Sequence, residues 1–165
     1  MNESAPLPVD AGVLIALVAA TGDWECLSTL ECSIIVTQEV RDEIRRGPPG
    51  NPGVATPMPP CMSVWPDLVA LPPWLRGVLD DGGEASVIAL ALEQGWSEVA
   101  IDETVGRLVA QTCSLRLTGS LGLLIRAKRK GFPVLLSSAI PRIRAANIWL
   151  GSDVERVALR LAGEA

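Results

Sequence analysis

Five carboxylates stand where a chain can use them for chemistry: Asp10, Glu43, Glu84, Asp102 and Glu103. Asp10 closes the short run PLPVD, Glu43 lies within VTQEVRDEI, Glu84 follows a double glycine, and Asp102 with Glu103 ends SEVAIDE. Adjacent carboxylates repel each other, so either water solvates the Asp102 and Glu103 pair or a cation holds it. A hard divalent ion suits such a set. Mg2+ or Mn2+ takes oxygen ligands in octahedral geometry, and one or two such ions activate water and stabilise the oxyanions of phosphodiester cleavage. A plainer account stands beside this one. Acids favour the positive end of a helix dipole, which explains Glu84 and Glu103 without any chemistry. Glu43 in turn is either a ligand or the solvated partner of Arg46 at i+3.

Other catalytic chemistries drop out on composition. No histidine occurs in the 165 residues, which removes Ser-His-Asp and Cys-His mechanisms. The four cysteines, Cys26, Cys32, Cys61 and Cys113, form no C-x-x-C pair, which argues against zinc. Reduced thiols and a cytoplasmic location are the expectation. The net charge of −5 is wrong for a dedicated nucleic-acid-binding module, yet an acidic metal site accounts for part of it in a nuclease. At 48% hydrophobic and 20% charged, the composition is that of an ordinary globular protein. Its longest apolar stretch is only about half of a membrane span, so neither membrane insertion nor a signal peptide is expected.

The elements that must position these acids alternate along the chain. PLPVD, CSIIV, SEVAI and LRL read as short strands, and SVWPDL as an edge strand limited by Pro66. Between them GVLIALVAATG, TQEVRDEIRR, residues 84–94, DETVGRLVAQTC and TGSLGLLIRAKRKG read as helices. Thr37 is the expected N-cap of the second helix, and Gly131 the expected cap at the end of the fifth. Val105, Leu108 and Val109 are expected on the inner side of DETVGRLVAQTC. Two more helices follow, one near 139–145 and one over SDVERVALRLAG, with Ser152 and Glu155 as a capping box. Residues 47–62 carry six prolines and three glycines and read as a loop inside a single domain spanning 1–165. Alternating strands and helices predict an α/β fold with a short, mainly parallel central sheet. Ligands of such sheets bind outside the carboxyl ends of the strands, which is where Asp10 and Asp102 fall.

Several cationic and polar residues have two readings. Arg107 either contacts a phosphate or pairs with Asp102 and Glu103. Gly119, Ser120 and Gly122 either offer helix N-terminal amides to a phosphate or allow close packing. Lys128, in the run from Arg126 to Lys130, either tracks an RNA backbone or is a solvated helix end. Trp65, Trp74, Trp96 and Trp149 are read as structural.

Six blocks, VDAGVLIAL, VTQEVRDEI, GGEASVIALALE, IDETVGRLVA, LTGSLGLLIRAKRKG and LRLAGE, together resemble the PIN-domain nucleases, in particular their DUF3368-type subgroup. They run in the family's order over nearly the whole chain. The resemblance implies a three-layer α/β/α sandwich and a Mg2+- or Mn2+-dependent endoribonuclease site. Matched position by position, the catalytic and metal-holding acids are Asp10, Glu43, Glu84 and Asp102, with Glu103 as an auxiliary. It also implies an RNA substrate, an antitoxin protein as a partner of toxin-type members, and a homodimer. The chain departs at position 12, where Gly12 replaces the small hydroxyl or amide residue of many PIN nucleases. Its third acid, Glu84, is longer than the aspartate of many relatives.

Overall fold

The computed structural model describes residues 5–47 and 55–165. Residues 48–54 of the proline- and glycine-rich segment lie outside the described residues. Among the described residues five short strands form the centre: β1 (Pro6–Pro8), β2 (Ser33–Val36), β3 (Met62–Val64), β4 (Glu98–Ala100) and β5 (Arg116–Thr118). β2 pairs in parallel with β1 and with β3, and β4 pairs in parallel with β5. One parallel bridge, Val9 to Ala100, joins the two ladders. The strand order is therefore β3-β2-β1-β4-β5, and it reverses between β1 and β4. That reversal opens a crevice at the carboxyl ends of the two strands.

Among the described residues eight α-helices surround the sheet: α1 (Ala11–Thr21), α2 (Gln38–Arg46), the single turn α3 (Pro73–Arg76), α4 (Gly83–Gln94), α5 (Thr104–Thr112), α6 (Ser120–Arg129), α7 (Leu136–Ala145) and α8 (Ser152–Leu161). A 3-10 segment, Glu25–Leu30, follows α1 and packs on α6. α4 lies on β1 and β4 and meets α2, α3 and α5, while α1, α6, α7 and α8 pack with one another. Helices and sheet make the expected α/β sandwich. α1 is apolar almost all round and sits inside the protein, as such a helix must. The caps follow local chemistry. The Thr37 hydroxyl accepts the Val40 amide at 3.1 Å, as expected, and bonds Ser86 Oγ at 2.7 Å, which fixes α2 against α4.

Three expectations about these elements need correction. On α5 the buried residues are Gly106, Val109 and Ala110, whereas Val105 and Leu108 are about half exposed. The helix covers only the edge of the sheet at β5, so its inner stripe is narrow. No capping box forms at α8: its N-cap is Gly151, without a side-chain bond, and Glu155 instead pairs with Arg144 at 2.6 Å. The helix expected near 139–145 begins earlier, at Leu136, because its first turn is capped from outside. Glu164 accepts the amides of Leu136 and Ser137, both at 2.8 Å, and also pairs with Lys128. Gly163, at φ +72°, makes the left-handed turn that delivers Glu164 there.

Candidate active site

In parallel βαβ units the helices start at the carboxyl edge of the sheet, so their amide ends converge there. Four carboxylates meet these ends. Asp10 is the N-cap of α1, its Oδ2 accepting the Gly12 amide at 3.3 Å. Glu43 Oε2 accepts the amide of Gly83, the first residue of α4, at 3.2 Å. Asp102 Oδ1 accepts the Ser120 amide at the start of α6 at 2.9 Å. Glu103 caps α5, with Oε2 accepting from Val105 at 2.7 Å and from Gly106 at 3.0 Å. Each bond satisfies an amide that the helix itself cannot pair, and the helix dipole favours the negative charge.

All four of these acids, together with Glu84, line one cleft of about 780 Å³. The approach is close because glycines stand opposite the carboxylates. A Cβ on Gly83 would lie 2.5 Å from Glu43 Oε2 and 2.9 Å from Asp10 Oδ1. At Gly119 it would collide with Asp102 Oδ1. The double glycine before Glu84 is thus a packing requirement of the acids as much as a break between elements.

The anchored acids keep an unused side. Asp10 Oδ1 and Asp102 Oδ2 are buried and have no hydrogen-bond partner. Burial pushes the Asp10 carboxyl up to about 7, and the nearby Glu43 and Asp102 charges add to this against the pull of the Ala11 and Gly12 amides. Burial likewise raises Glu84 to about 7, with repulsion from Asp10, Glu103 and Glu43 behind it. Carboxylates crowded in this way favour any cation that can take their free oxygens. The donor set is all oxygen, which suits a hard divalent cation. Among the described residues no three acidic or thiol groups stand close enough together to hold a metal ion as they are placed.

The remaining sequence candidates divide. Ser120 belongs to the wall of the cleft, but the residue is fully buried, its Oγ included, and its amide is already taken by Asp102. Arg107 lines the cleft too, yet its Nη1 donates to the main-chain oxygens of Ile101 at 2.7 Å and Thr118 at 3.3 Å. It ties together the ends of β4 and β5. Lys128 does not line the cleft: it lies toward the far end of α6 from Ser120 and is paired with Glu164. Glu39 is held in a structural contact, accepting the Val69 amide at 3.2 Å. The tryptophans also divide. Trp24 donates to Leu14 O in the core, and Trp65 and Trp96 pack edge to face at 5.7 Å. Trp149, read from sequence as structural, lines the cleft and is 86% exposed. The signal that separates it from the others is positional, since it sits between two helices in a turn whose apolar neighbours, Ile148 and Leu150, face inward.

A family model described as a PIN domain matches residues 8–164. The chain belongs to the PIN-domain family. The match covers all five cleft acids, and it agrees with the DUF3368-type resemblance read from the six sequence blocks. PIN domains have a nuclease-type fold and typically use divalent metals. No curated protein and no solved structure matches the chain. Among the described residues of this PIN domain no helix is long and apolar enough to cross a membrane.

Proposed function

We propose that this PIN domain is a metal-dependent endoribonuclease that hydrolyses RNA phosphodiester bonds. The observation that carries the reading is the pair of buried, unpartnered oxygens, Asp10 Oδ1 and Asp102 Oδ2, in a cleft shared with Glu43 and Glu84. Asp10, Glu43, Glu84 and Asp102 would hold the ion through the oxygens that their helix-capping bonds leave over, and Glu103 adds negative charge beside them. Mg2+ or Mn2+ held there would supply Lewis acidity toward the phosphodiester and lower the pKa of the attacking water. The chain's own part is to keep the ligands fixed: the capping bonds lock one side of each anchored carboxylate. Arg107 holds the floor of the cleft by clamping the ends of β4 and β5.

The test is cleavage of a mixed RNA pool with Mn2+, with EDTA, and with Asp10→Asn. Cleavage in the first condition alone is expected; equal activity in all three rejects the reading. Work in cells would then ask whether expression arrests growth and whether a partner protein relieves it, as for a toxin with its antitoxin. A second reading, a PIN-like regulator that binds RNA or protein without catalysis, draws on Gly12 and on the spread of the carboxylates. Titration calorimetry separates the two. The nuclease requires Mn2+ binding in the millimolar range or tighter, and the regulator does not.

A further inference from the structure

Part of the cleft is not acidic. Ile148, Trp149, Leu150 and Gly151, from the turn between α7 and α8, contribute to its lining with Val154. α7 ends in a Schellman motif, with Asn147 in the left-handed region at φ +60°, Asn147 donating to Arg144 O at 2.9 Å and Ile148 to Ile143 O at 3.3 Å. Ile148 and Leu150 then pack on the core, so the residue between them faces out. Trp149 is that residue. One edge of its ring rests on Gly151, where a Cβ would lie 3.3 Å from Trp149 Cη2, and the rest of the indole is open.

The fold gains little from that ring. An exposed indole forgoes the burial that makes tryptophan useful in a core. The cleft beside it has a difficulty that a ring can relieve. Among the described residues Arg107 is the one cationic side chain lining the cleft, and its Nη1 is committed to main-chain oxygens. Apart from any ion on the acids, a polyanionic strand therefore meets five carboxylates with little counter-charge from the protein, and a grip independent of charge would help to hold it. A base has a π-face whatever its identity, and stacking on an aromatic side chain stabilises binding by about 1–3 kcal/mol per base.

We propose that Trp149 is the platform on which an unpaired base of a single-stranded nucleic acid stacks, setting the strand across the carboxylate cleft. This rests on the nuclease reading above and deepens it: the substrate is single-stranded, because bases in a duplex are already stacked on each other.

The experiment measures binding in Ca2+, in place of Mg2+ or Mn2+, for the wild type, Trp149→Ala and Trp149→Phe. The probes are a short single-stranded oligoribonucleotide, the oligodeoxyribonucleotide of the same sequence, and an abasic strand of equal length. Trp149→Ala is expected to weaken both base-bearing strands about 5- to 150-fold, with the abasic strand unaffected and Trp149→Phe retaining most of the affinity. Quenching of indole fluorescence by the base-bearing strands should disappear with the ring. A loss confined to the ribonucleotide also supports the platform, for RNA alone. Unchanged affinity in Trp149→Ala, an equal loss on the abasic strand, or no binding of any strand by the wild type overturns it. Wild-type cleavage with Mn2+, run in parallel, judges the nuclease reading separately. Cleavage with Trp149-independent binding removes the platform and leaves the nuclease; Trp149-dependent binding without cleavage does the reverse.

Discussion

At Asp10 one oxygen caps a helix while the other is buried without a partner, and that division makes two outcomes predictable. In the metal-free protein the Asp10 carboxyl titrates at about 7 instead of 3.8, so between those values the native state holds a proton that the unfolded state has lost. Stability from this group therefore falls as pH rises from 4 to 7 and stays low above it. Asp10→Asn removes the charge and keeps an oxygen for the Gly12 amide. At pH 8 without metal it should raise stability by roughly 2–4 kcal/mol while abolishing cleavage, as urea unfolding and the RNA assay would read. Gly83→Ala tests the same crowding sterically. The added methyl meets the exposed end of Glu43, which can yield, but also the buried Asp10 Oδ1 at 2.9 Å and Val40 Cγ2 at 3.0 Å, which have little room to move. Unfolding stability should fall by about 1–3 kcal/mol, the usual cost of overpacking a filled site. Cleavage should fall at least about tenfold, since a shift of about 1 Å at a catalytic group costs more than that. Asp10 and Asp102 were legible in the sequence because strand ends mark the binding edge. The exposure of Trp149 was not, because it depends on a left-handed turn at Asn147 and on two neighbours that face inward.

Among the elements, α7 shows what a sequence window hides. Its start is capped by Glu164, 28 residues away, so no local pattern marks it. Burial would raise the Glu164 pKa, but the bonds from Lys128, Ser137 and Leu136 outweigh this and hold it down at about 2. Its contribution to stability is thus complete above the unfolded value of 4.5 and is lost as pH falls through 2. Glu164→Gln should cost about 1–3 kcal/mol at pH 7, with the difference from wild type closing in acid, followed by denaturant titration at several pH values. The misreading of α5 has a different cause. Val105 and Leu108 have the spacing of a buried stripe, but a helix over an edge strand has little to bury against. Replacing either with lysine should change stability by less than about 0.5 kcal/mol.

For the whole molecule, the alternation of strands and helices was readable, and the α/β class followed from it. The strand order was not, since strands of three or four residues carry no register information of their own. Order is nevertheless what brings Asp10 and Asp102 together, from positions 92 residues apart in the chain. Mn2+ bound to the native state alone should raise the Tm of the wild type in a concentration-dependent way and leave that of Asp10→Asn unmoved, as differential scanning calorimetry would show.

The seam between the two ladders rests on the Val9 to Ala100 bridge and on the Asp10 amide, which donates to Ala100 O at 2.9 Å. The residue that stitches the halves of the sheet together is the one whose side chain faces the cleft. Its amide is therefore a built-in clock for the charge state of the cleft: deuterium should enter it fastest when the carboxylates are ionised and bare, and slowest when a cation quiets them.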